Sequence, residues 1–168
     1  MLPLKWKIFR IMTYLHMTCT SILAAVAIIG VLQTGIRFFT LENILALLAV
    51  MCVPLVLLSN SSINLVLLER YYPDRLPGKV LVRFSNTLFV LSTVVVLLML
   101  AATASVFVNL FGAESRSRYS TFSTLYALSL ATITLTGCYI VWCQISLRKT
   151  IRRNHDATIN NFLAGDEL

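Results

Sequence analysis

Residues 84–113 read FSNTLFVLSTVVVLLMLAATASVFVNLFGA, and no Asp, Glu, Lys or Arg interrupts them. A helix needs roughly 20 apolar residues to cross a hydrocarbon core about 30 Å thick. This stretch exceeds that length. Its valine richness is no strand signal, because so long an unbroken apolar run argues for a helix. Three further stretches, 11–36, 43–68 and 119–147, are equally free of charge. The reading is an all-α, polytopic membrane protein: an antiparallel four-helix transmembrane bundle with spans at about 11–33, 43–68, 84–111 and 121–147.

Composition agrees. The 168-residue chain is 58% hydrophobic and 12% charged, with a mean hydropathy of +0.82. A soluble domain carries about 25% charged residues. The polar segments are 1–10, 37–42, 69–83, 114–118 and 148–168. Each is shorter than the roughly 40 residues a soluble domain needs to fold unaided. Function is therefore expected inside the bilayer, at its surfaces, or through a partner. The whole chain is one transmembrane domain, followed by a basic tail over 148–168 on which no stable helix is expected.

The net charge of +7 is a topological signal and not a mark of nucleic-acid binding. Lys5, Lys7, Arg10, Arg70, Arg75, Lys79, Arg83, Arg148, Lys149, Arg152 and Arg153 fall on one side of the alternating spans, and Arg37, Arg116 and Arg118 on the other. Short cytoplasmic loops keep Lys and Arg. Both termini and the 69–83 loop are accordingly expected inside (N-in/C-in), with the turns at 37–42 and 114–118 outside. The basic inner surface is expected to meet anionic lipid head groups at about 1 kcal/mol per residue. Ala25-Val26-Ala27 has the look of a signal-peptide cleavage site, but the apolar run continues past it, so span one reads as an uncleaved anchor. The compact form suggests a bacterial inner membrane. The terminal Gly165-Asp166-Glu167-Leu168 lacks the lysine of a luminal retention signal and is read as coincidence.

Polar residues within the spans supply the candidate sites. Pro54 is expected to bend span two, since it removes a backbone bond. After it come Asn60, Ser61 and Asn64, and Asn86 lies across the loop in span three. Asn60 and Asn64 share a helix face, and all three asparagines are expected near the inner mouth of the bundle. A polar side chain in hydrocarbon costs several kcal/mol without a partner. Interhelical hydrogen bonding, at about 0.6–2 kcal/mol per contact, is the structural reading; a vestibule for a polar ligand is the functional one. In span four, Ser129, Thr132, Thr136, Tyr139 and Cys143 repeat at 3-4-3-4 spacing. That spacing sets them on one seam, for packing or for a pore.

Other chemistry is thinly represented. Cys19, Cys52, Cys138 and Cys143 all lie in spans, outside any disulfide-forming loop. His16 is the only histidine within a span. A haem clamp inside one bundle needs two axial ligands, so a haem carrier would need a homodimer. No span holds the interior carboxylate, Lys or Arg usual in ion-coupled carriers. No metal-ligand cluster, phosphate loop or catalytic serine motif stands out. The expectation is a non-enzymatic subunit or scaffold of a membrane complex, a homo- or hetero-oligomer, without cofactor, catalytic residue or metal. The alternatives are a small channel or facilitator for a polar solute, and a haem or redox carrier.

Overall fold

The computed structural model describes residues 2–34, 41–111 and 121–165. These form four α-helices, α1 (Leu4–Thr34), α2 (Leu41–Val66), α3 (Lys79–Phe111) and α4 (Thr121–Gly165), with a π-helical turn at Leu67–Tyr71 after α2. All four are long and apolar enough to cross a membrane. The expected turns at 37–42 and 114–118 and the last three residues fall largely or wholly outside the described residues.

The helices form a ring in chain order: α1 packs on α2 and α4, α3 packs on α2 and α4, and α2 meets α4 across the middle. Two apolar clusters fix the directions. One joins Trp6 and Phe9 to Ile63, Leu67 and Leu68, to Leu88, and to Ile140, Cys143 and Leu147. The other joins Cys19 and Leu23 to Val53 and Leu57, to Val96 and Met99, and to Ile133. Residue numbers rise from the first cluster to the second on α1 and α3 and fall on α2 and α4. Neighbouring helices are therefore antiparallel.

The outward surface is apolar as well. Val90, Val94, Leu97 and Leu98 on α3, and Leu128, Leu135 and Trp142 on α4, are all exposed. A soluble monomer rarely exposes an apolar patch beyond about 600 Å², whereas hydrocarbon covers such a surface without cost.

Helix ends differ from the hydropathy boundaries. α1 starts at Leu4, where Trp6 packs on Phe9 (ring centroids 6.0 Å apart) and on Tyr72 (5.8 Å). α2 runs through Pro54 as one helix. The largest correction is the tail: α4 continues from the apolar span to Gly165. Hydropathy marks where a chain leaves lipid, not where its backbone bonding stops. No Gly or Pro lies between Gly137 and Gly165 to end the helix. The extension is also held from the side. Asn154 Nδ2 donates to Pro73 O (3.1 Å), and His155 Nδ1 lies 3.0 Å from Asp74 O. The 72–78 connector is thereby latched onto α4.

Candidate functional site

The buried stripe of α4 runs Ile133, Gly137, Ile140, Gln144, Leu147, Ile151. Its spacing is 4-3-4-3-4, like that of the hydroxyl seam, but it is displaced around the helix. The seam is its flank and not its centre. Thr136 and Cys143 are buried, Ser129 and Tyr139 are half-buried, and Thr132 is exposed and donates to Leu128 O of its own helix (2.8 Å). The expectation of one inward seam is corrected at Thr132, which faces outward. Two stripes with the same repeat compete for the interior, and the one bearing larger apolar groups occupies it.

Gly137 sits where three helices converge. A Cβ there would lie 3.0 Å from Val96 Cγ2 and 3.4 Å from His16 Cε1. His16, 2% exposed, places Nδ1 2.9 Å from Thr136 Oγ1. The Thr136 hydroxyl also lies within hydrogen-bond distance of Thr132 O (2.8 Å) and Ile133 O (3.1 Å). Nearer the far end, Thr103 and Thr134 place their hydroxyls 3.1 Å apart, joining α3 to α4.

The span-two amides converge on a residue that the sequence reading did not single out. Gln144 Oε1 accepts from Asn60 Nδ2 (3.2 Å) and from Asn64 Nδ2 (3.3 Å). All three side chains are at most 2% exposed, and Ser61 is buried beside them. Among the described residues, Asn60 Oδ1, Asn64 Oδ1 and Gln144 Nε2 find no partner while buried. Leaving such groups unpaired costs about 1–3 kcal/mol each. The trio is a two-helix lock with hydrogen-bonding capacity left over. Gln144 carried one usable signal: an amide inside an otherwise apolar run needs a partner.

Asn86 does not join that cluster. It is exposed, and its Oδ1 accepts from Arg148 Nη1 (2.5 Å). Its neighbour Ser85 takes the inward direction on α3, and a helix turn cannot point both residues the same way. Arg148 Nη2 donates to Ser85 O (2.8 Å) and to Ser85 Oγ, and the guanidinium carbon stands 5.4 Å from the Phe89 ring centre. Among the described residues, no carboxylate pairs with Arg148. Ser85, Asn86 and Arg148 line a cavity of about 480 Å³ at the connector end of the bundle. Leu67, Leu76, Pro77, Val82, Ile151 and Arg152 complete its wall.

Among the described residues, no three His, Cys, Asp or Glu side chains come together as a metal site, and the four cysteines are free. No protein-family model, curated protein or solved structure matches the chain.

Proposed function

We propose that the chain is a non-enzymatic integral membrane protein that works by association, as a subunit or scaffold of a larger membrane complex. In this reading the four helices are inserted in a bacterial inner membrane, with both termini and the 72–78 connector on the cytoplasmic side. The basic residues there contact anionic lipid.

The observation that carries the reading is the use made of polar groups inside the bundle. His16–Thr136, Thr103–Thr134 and the Asn60/Asn64/Gln144 trio each join two helices. Polar groups engaged in holding helices together favour a packed structural element over a conducting path. The apolar outer face of α3 leaves room for a neighbouring helix. Chemical crosslinking in native membranes, followed by extraction in mild detergent, tests this. A defined oligomer or a reproducible set of partners is expected. A strict monomer without partners would count decisively against it.

A second reading, a facilitator for a polar solute, draws on one observation: three buried amide atoms of the trio lack partners. Reconstituted protein would then raise solute flux in liposomes, and Asn60→Leu would abolish it while the bundle stays folded.

A further inference from the structure

The cavity at the connector end combines features that the helix-packing role does not use. Arg148 and Arg152 stand one turn apart on α4 and both line it. Arg148 is held by uncharged acceptors alone, Ser85 and Asn86. Arg152 is exposed, and among the described residues it has no hydrogen-bond or ion-pair partner. Two positive charges thus face one cleft whose described lining residues include no Asp or Glu. The rest of its lining is Leu67, Leu76, Pro77, Val82 and Ile151, all apolar, with the polar Ser85 and Asn86.

Depth in the fold narrows the occupant further. On α4 the uncharged run ends at Leu147, immediately before Arg148; on α3 it begins immediately after Arg83. The cleft lies at the level where hydrocarbon-compatible surface gives way to charge. There a guanidinium meets phosphate and an adjoining apolar wall meets acyl carbons. A volume of about 480 Å³ falls within the range of ligand clefts. The connector that carries Leu76 and Pro77 is latched to α4 through Asn154 and His155 at Pro73 O and Asp74 O.

We propose that this cleft binds the phosphate of an anionic phospholipid, with Arg148 and Arg152 on the phosphate oxygens and Leu76, Val82 and Ile151 against the first carbons of the chains. Arginine suits the role, because its planar fork can donate two parallel bonds to phosphate. The inference rests on the membrane insertion proposed above and names a ligand for one end of the inserted bundle.

The full chain, purified in a neutral detergent, would be titrated with phosphatidylglycerol, phosphatidylcholine or inorganic phosphate while its thermal unfolding is followed. Phosphatidylglycerol is expected to raise the midpoint, and the other two to leave it unchanged. Arg152→Gln is expected to weaken phosphatidylglycerol binding about fivefold with no change in lipid-free stability, since the side chain makes no internal bond; Arg152→Lys should restore much of the loss. Arg148→Gln also removes three hydrogen bonds to α3, so Arg152→Gln decides the matter if that variant does not fold. Equal response to both lipids, an undiminished response in Arg152→Gln, or full stabilisation by inorganic phosphate would each overturn the lipid site. Insertion is read separately, by retention in membranes after alkaline carbonate washing. A chain so retained that shows no head-group preference overturns the site and leaves insertion standing.

Discussion

Replacing Gln144 with leucine removes one acceptor and strands two donors. Asn60 and Asn64 would stay buried with no partner, at a cost of about 1–3 kcal/mol. The thermal unfolding midpoint in detergent should fall accordingly, as followed by circular dichroism. Changing all three residues to leucine should cost less than Gln144→Leu alone, because no amide is then left unsatisfied. A triple variant as unstable as the sum of its parts would refute the lock. Gly137→Leu presses on Val96 and His16, which a bare Cβ already approaches to 3.0 and 3.4 Å. A loss of about 1–3 kcal/mol is expected from overpacking, and Val96→Ala in the same chain should relieve part of it. At this scale the sequence was half legible. Asn60 and Asn64 were visible as a shared face, since their spacing is local. Their acceptor lies 80 or more positions away, and only helix register decides which residue meets them.

Among the elements, α4 departs furthest from its hydropathy profile. Its charged extension reads as a solvated tail, yet it is continuous with the span and latches the 72–78 connector through Asn154 and His155. Alanine at both positions removes two hydrogen bonds of about 0.5–1.5 kcal/mol each. Amide hydrogen exchange at Asp74, Arg75 and Leu76 should then rise about tenfold or more, with the apolar part of α4 unaffected. Unchanged exchange would show that the connector is held by other contacts. The turn-making residues Pro73, Pro77 and Gly78 were readable as a break. The absence of any breaker after Gly137 was equally readable and pointed to the long helix. A basic, polar composition masked it, because charge reports on solvent and not on backbone bonding.

For the molecule as a whole, the number of helices and their alternation follow from uncharged length alone. The ring order and the displaced stripe of α4 do not, since they depend on which faces meet. The proposed inward orientation of both ends rests on the distribution of Lys and Arg. In a variant freed of its native cysteines, Asp74→Cys should resist a membrane-impermeant maleimide in intact cells and react after permeabilisation, and Arg37→Cys should react in both. Labelling of Asp74→Cys from outside would reverse the orientation.

The wide turn at Leu67–Tyr71, where Tyr72 N donates to Leu67 O at 3.1 Å, bears on how this chain tolerates being shortened. A π turn accommodates one more residue than an α turn between the same ends. Omitting Glu69 or Arg70, both exposed, converts it to ordinary helix and leaves everything on either side in place. Omitting Ser62 instead rotates Asn60 by about 100° relative to Asn64, and no adjacent slack restores it. Single-codon losses should therefore be survivable at one point of this segment and ruinous only a few residues upstream.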